Sequence, residues 1–280
     1  MEILKGCLPC LFEQAKRAAK MASDSAEVQQ KVLDLSSEIL ENYEAFENAP
    51  HLAQAIYEAV KSQTKEEDPF IKIKEKDIEV AKSLAPVLKD FIALSDDPIY
   101  AVLKVGAVGN NLDSAIVRNI DIKEKINEEL NTPFKVCDID IFKEKLKGAK
   151  TVLIVGDNSG EAVFDGVFMD NFPNISFYYA VRSAPIINDV TLKEIPLINL
   201  DKKVKVFASG SCAPGSVLSQ CSNEFKEILK NADIVISKGQ GNFESLSEVK
   251  NIFFLLKAKC PVIASRFNVE AGSYIFKYNA

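Results

Sequence analysis

TVLIVGDNSGEAVFD, residues 151–165, decides how the rest of the chain is read. Residues 152–155 form an unbroken aliphatic run, the pattern of a strand buried on both faces. A polar turn follows, Gly156-Asp157-Asn158-Ser159-Gly160-Glu161, and Ala162-Val163-Phe164 then opens a helical pattern. Open α/β sheets build ligand sites at strand–turn–helix junctions of this kind. The adjacent Asp157 and Asn158 offer hard oxygen donors to a divalent cation. Each is equally a good helix N-cap.

Downstream the same rhythm recurs. Strand candidates lie at 175–181, 204–208, 234–237 and 252–256, with helical stretches at about 160–171, 189–195, 216–230 and 243–249. That alternation predicts a mostly parallel, Rossmann-like three-layer α/β/α sheet. Upstream the pattern is helical. Val28, Val32, Leu35, Ile39 and Tyr43 form an amphipathic stripe, and Asn48-Ala49-Pro50 reads as a helix start. Ala81, Leu84, Leu88 and Ile92 mark a further helix, with Pro86 placed to kink or divide it. Residues 123–131 and 138–146 read as short charged helices. The expected organisation is an all-helical domain over 1–104 and a Rossmann-like catalytic domain over 105–280.

Composition narrows the function. The chain of 280 residues is 47% hydrophobic and 26% charged, with a net charge of −6. No basic patch stands out, which argues against nucleic acid as a partner. No run reaches the length of a membrane span and no signal sequence opens the chain, so a cytoplasmic protein with reduced thiols is expected. A single histidine, His51, rules out a histidine-rich metal site and argues against a His-based triad.

The chemistry concentrates in the turns after the predicted strands, which a parallel sheet collects on one rim. Asp157, Asn158 and Asp189 supply three oxygen ligands suited to Mg²⁺ or Mn²⁺. Lys238, beside Gly239 and Gly241, would present an ammonium and backbone N–H groups to a phosphate. Ser209 and Gly210 would add donors at a helix start. Asn110 and Asp113 would reach the rim from the helical side. Arg182 either binds phosphate or braces Asp157. Glu161 is either an acid favoured by the helix dipole or a base, a role open to Asp157 as well. Cys7 and Cys10 form half of a zinc motif without a second pair, or two thiols packing at a helix start.

Taken together, DNSGEAVFD (157–165), VRSAPIINDVT (181–191), GNNLD (109–113) and KGQGNFESL (238–246) resemble the signature set of the damage-control phosphatases, the domain-of-unknown-function-89 family. Cys7-Leu8-Pro9-Cys10, Asp68-Pro69-Phe70 and LLKAKC (255–260) fit its prokaryotic branch. The resemblance spans nearly the whole chain. It departs at Ser159, Ser183 and Val190, where the family often carries Ala, Gly and Ala. It implies a helical region joined to a Rossmann-like domain and metal-dependent hydrolysis of phosphate monoesters of small metabolites by a metal-activated water. It also implies a divalent cofactor (Mn²⁺, Mg²⁺, Co²⁺ or Ni²⁺) on Asp157, Asn158 and Asp189, with Lys238 on the phosphate side. Two other readings stay open: an S-adenosylmethionine-dependent methyltransferase, loosely suggested by strand–glycine turn–helix, and a non-enzymatic sugar-phosphate-binding protein.

Overall fold

The computed structural model describes residues 1–109, 122–200 and 204–280. Asn110 and Asp113 lie outside the described residues. Seven strands form one sheet among those described: β1 (Phe134–Cys137), β2 (Thr151–Val155), β3 (Ser176–Val181), β4 (Val204–Ala208), β5 (Ile234–Lys238), β6 (Ile252–Lys257) and β7 (Tyr274–Asn279). Their order is β1-β7-β6-β5-β2-β3-β4. The neighbours from β6 to β4 are parallel, and β7 runs antiparallel to β6. The chain moves outward from β2 to β4, then returns to the other side of β2 as β5. The β2–β5 seam is therefore the topological switch point, where α/β folds open a crevice at the strand ends.

Strand β2 shows why the opening stretch folds as it does. Val152 and Ile154 enter one core, and Leu153 and Val155 enter the core on the opposite face. The first core is shared with α4 (Ile71–Ala93), α5 (Pro98–Gly109), α6 (Ile122–Asn131), α7 (Ile139–Leu146) and α8 (Glu161–Asp170). The second is shared with α10 (Asn223–Asn231), α11 (Gly239–Leu246) and α12 (Pro261–Arg266). These are the three layers expected of the α/β/α arrangement.

The N-terminal helices α1 (Leu8–Ala22), α2 (Ala26–Glu41) and α3 (Ala49–Thr64) close a separate core around Leu11, Leu40, Leu52 and Ile56. Asn48 caps α3, its Oδ1 accepting from His51 N–H at 3.0 Å, with Pro50 in the first turn. Pro86 is accommodated inside a continuous α4. The expected division between 104 and 105 falls inside α5. Helices α4 and α5 belong to one layer of the sandwich, because their apolar faces complete the core over α8. Among the described residues no helix is long and apolar enough to cross a membrane.

Three local expectations differ from the structure. Residues 189–194 are not helical; only α9 (Ile195–Ile198) is, because the backbone around Asp189 pairs with the turn after β2. Residues 216–222 are loop, and α10 begins after Ser222, whose Oγ accepts from Phe225 N–H at 3.1 Å. Strands β1 and β7 escape the strand–helix rhythm. None of the four residues of β1 is buried, and β7 returns antiparallel.

Candidate active site at the strand tips

The turns leaving β2 and β3 are zipped together. Ser159 N–H donates to Asn188 O at 2.8 Å, and Val190 N–H donates to Asp157 O at 2.8 Å. Asn158 and Asp189 form an isolated antiparallel bridge. Asp157, Asn158 and Asp189 are thus brought to one place by backbone pairing between two consecutive strand exits. Asp157 and Asp189 are buried, and Asn158 is half-buried.

Arg182, the first residue after β3, is 1% exposed and sits under this group. Its Nε donates to Asp189 Oδ2 at 2.6 Å and its Nη2 to Asp157 Oδ1 at 3.2 Å. Its Nη1 donates to Asn242 Oδ1 at 2.9 Å and to Ser216 Oγ at 3.3 Å. Of the two roles open from sequence, the geometry shows the brace: the guanidinium fork is directed at protein acceptors. Burial, with Asp157 beside it, pushes Asp189 up to about 7 against the pull of Arg182.

The donor set fits a hard divalent cation. It consists of two carboxylates and an amide oxygen, with no thiolate or imidazole, and the carboxylates converge on one guanidinium. Among the described residues no group of three or more His, Cys, Asp or Glu side chains is arranged to hold a metal. A site here therefore depends on the amide of Asn158 and on ligands from substrate or water.

On the other side of β2, Lys238 ends β5 and is 1% exposed. Its Nζ lies 2.5 Å from both Glu161 Oε1 and Asp165 Oδ1, and donates to Gly106 O at 3.0 Å. Burial alone would push this ammonium down, but Asp165 and Glu161 outweigh it and hold Lys238 above the ordinary lysine range. Tyr179 donates to Asp165 Oδ2 at 2.8 Å. Its phenol is held well above the usual range by burial and by Asp165, so it keeps the proton it donates. All three ammonium protons thus have protein acceptors within reach.

Ser209 and Gly210 are engaged within the protein. Gly210 N–H donates to Ser183 Oγ at 2.7 Å, and Ser209 Oγ accepts from Ser211 N–H at 3.3 Å. No helix starts there, which removes the dipole expected behind Ser209 and Gly210. Gly239 is buried at the start of α11 with φ of +78°. Gly241 is needed for packing: a Cβ there would lie 1.8 Å from Pro214 O.

Sequence reasoning missed Asn242, the hub between the two clusters. Its Oδ1 accepts from Arg182 and from Ser216 N–H at 2.9 Å, while its Nδ2 donates to Gly156 O at 2.9 Å and Lys238 O at 2.8 Å. Asp165 and Tyr179 were missed too. Asp165 stands four residues after Glu161 on α8, a spacing that places both carboxylates on one helix face. The helical region also leans on the rim. Lys61 Nζ donates to Pro185 O at 2.6 Å, and Asn188 Nδ2 to Asp77 Oδ2 at 3.3 Å. Cys7 is half-buried with its thiol pushed up by burial, Cys10 is exposed, and all six cysteines are free. His51 packs edge-on to Phe46 at 5.2 Å, away from the chemistry.

Comparison with known proteins gives the family. Residues 3–275 match the family model of the damage-control phosphatase ARMT1-like domain. A damage-control phosphatase of Pyrococcus horikoshii is 33% identical, with 100% of this chain and 99% of the relative covered. One from Archaeoglobus fulgidus is 31% identical over 99% of each chain. The crystal structure of a domain-of-unknown-function-89 protein from Pyrococcus horikoshii superposes with a TM-score of 0.90, at 31% identity and with both chains fully covered. With a family match over almost its entire length and relatives aligned end to end, the chain belongs to the damage-control phosphatase family.

Proposed function

We propose that this protein is a metal-dependent phosphatase that hydrolyses phosphate monoesters of small metabolites, either sugar phosphates or damaged phosphorylated metabolites. The observation that carries the reading is the pair Asp157 and Asp189, locked to each other across two strand exits and held on one guanidinium, with Asn158 beside them. The names of the relatives support phosphatase chemistry over the methyltransferase reading.

In this reading Asp157, Asn158 and Asp189 hold a divalent cation, with Mn²⁺, Mg²⁺, Co²⁺ and Ni²⁺ as candidates. Such a cation supplies Lewis-acid polarisation of a phosphoryl oxygen and lowers the pKa of a water. The chain's residues do the positioning. Arg182 keeps two like-charged carboxylates facing the same point, at a cost that its own charge offsets. Lys238, held between Glu161 and Asp165, offsets part of their buried negative charge and fixes the end of β5 beneath the rim. Asn242 ties the two cations into one frame. Glu161, fully buried against Lys238, is part of that frame.

The test is release of inorganic phosphate from para-nitrophenyl phosphate with and without Mn²⁺, Mg²⁺, Co²⁺ or Ni²⁺. Metal-stimulated turnover that falls by about 10²–10³-fold in Asp157→Ala supports the reading. Absence of metal-stimulated turnover, together with unchanged metal binding by Asp157→Ala, overturns it and leaves the sugar-phosphate-binding alternative.

A further inference from the structure

Behind the Asp189 turn lies a second buried charge group that the helical region supplies. Lys74, on the first turn of α4, is 0% exposed. Its Nζ meets Asp68 Oδ2 at 2.8 Å and Glu194 Oε1 at 3.4 Å. Asp68 precedes α4, and its Oδ1 accepts from Phe70 N–H at 3.3 Å, which fixes the carboxylate to the chain that enters the helix. Glu194 belongs to the other side of the interface. Its Oε2 accepts from Thr191 N–H at 2.8 Å and from Thr191 Oγ1 at 2.7 Å.

Thr191 is where the contact becomes directional. It is bridged to Arg182, whose N–H donates to Val190 O at 3.0 Å, while Val190 N–H donates to Asp157 O at 2.8 Å. Asp189 is the residue before Val190. One connected path therefore runs from α4 through Lys74, Glu194 and Thr191 to the backbone that carries Asp189. Every group along it is buried. A charged pair out of water depends on close geometry, so it specifies position more than it adds stability. We propose that Lys74 and Glu194 are positioning residues for the site, fixing the 189–191 turn so that Asp189 faces Asp157 and Asn158. This rests on the metal-site reading above, and it makes the helical region a working part of that site.

A mere fastening of α4 to the sheet would change melting temperature and leave cation affinity alone. The two roles separate by calorimetric Mn²⁺ titration of folded protein, well below its melting temperature, set beside thermal unfolding. Glu194→Leu removes one of the two partners of Lys74 and the acceptor for Thr191. The expected result is an Mn²⁺ Kd raised about tenfold or more, with kcat for para-nitrophenyl phosphate reduced alongside it. Glu194→Gln keeps one acceptor, for Thr191, but turns an N–H toward Lys74, so its Kd is expected between those of wild type and Glu194→Leu; a wild-type Kd in Glu194→Gln removes Lys74 from the relay. Folded Glu194→Leu that binds Mn²⁺ with the wild-type Kd overturns the relay while the phosphatase reading stands. If Glu194→Leu does not fold, Lys74→Met is judged by the same titration against the same two outcomes. Wild-type protein that binds no Mn²⁺ removes the metal-site reading, and the relay with it.

Discussion

The two seams flanking β2 solve the same problem to different ends. On the β3 side Arg182 faces Asp157 and Asp189; on the β5 side Lys238 faces Glu161 and Asp165. Each is a buried cation between two carboxylates. The β5 side is closed, because Glu161, Asp165 and Lys238 have almost no exposed surface and Tyr179 seals the far oxygen. The β3 side stays at the rim, with Asn158 half-buried and Asp157 8% exposed. Similar charge inventories thus make a closed scaffold in one place and a partly open carboxylate pair at the strand tips in the other. What separates them is where the carboxylates sit, on a buried helix face in one and on the strand-exit turns in the other.

The sharpest way to break that comparison is to remove each cation. Lys238→Met and Arg182→Met each strand two buried carboxylates, and each is expected to cost about 3–5 kcal/mol of unfolding free energy in urea. Mn²⁺ should restore part of the loss in Arg182→Met, because a cation at Asp157 and Asp189 takes over the neutralising charge. It should restore none in Lys238→Met. Equal rescue of the two variants would show that the seams do not differ in access.

Another buried cation tests what pairing does. Among the described residues Lys104 has no hydrogen-bond partner; its Nζ stands 3.1 Å from the centroid of Tyr274 and 5.1 Å from that of Phe134, with Glu129 and Lys257 as its charged neighbours. Burial pushes it down to about 7, Glu129 pulls it back up, and Lys257 adds to the fall. Between about 7 and the ordinary lysine value of 10.5 the unfolded chain holds a proton that the folded chain lacks. Stability therefore rises with pH across that window, and the full penalty of the buried charge applies below it. The span amounts to at most about 5 kcal/mol. Lys104→Met should flatten this part of the stability–pH curve, measured by urea unfolding from neutral to alkaline pH. A wild-type curve already flat there would place Lys104 among the well-paired cations.

The hub between the seams comes next in size. Asn242→Ala leaves Arg182 Nη1 and Gly156 O short of a partner and is expected to cost about 1–3 kcal/mol. Turnover should fall as well, because Arg182 loses a fixed point. Unchanged kcat in a destabilised Asn242→Ala would confine Asn242 to the scaffold.

How much of this was legible depended on the range of the interaction. The strand–turn–helix rhythm and the rim carrying Asp157, Asn158 and Asp189 are local patterns, and they read directly. Sequence alone does not join Asp157 to Asp189; the backbone pairing of the turns after β2 and β3 does. Lys238 read as a phosphate donor, since a lysine beside glycines looks available; its partners Glu161 and Asp165 come from a helix more than seventy positions earlier. Arg182 was ambiguous for the same reason. Lys74 and Glu194 were invisible, because α4 and the Asp189 turn meet only in the folded molecule. Buried charge is where sequence patterns say least: the same letter marks a solvated face or a pinned counter-ion, and distant partners decide which.

The smallest effect tests the rim itself. Ser159 lies between the two zipped backbones, fully buried, and its Oγ has no hydrogen-bond partner among the described residues. Its N–H is already committed to Asn188 O, so the hydroxyl adds nothing to the pairing that holds the site. An unsatisfied buried hydroxyl costs about 1–3 kcal/mol, and deleting one oxygen opens a cavity too small to return most of that. Ser159→Ala is therefore expected to stabilise the protein by roughly 1 kcal/mol, a rise of about 2–4 °C in melting temperature, with metal affinity unchanged. The opposite outcome is equally informative. If Ser159→Ala melts no higher and loses Mn²⁺ affinity, the hydroxyl belongs to the rim as a donor that becomes engaged when the site is filled. The open seam would then extend one residue further along β2's turn than Asp157 and Asn158.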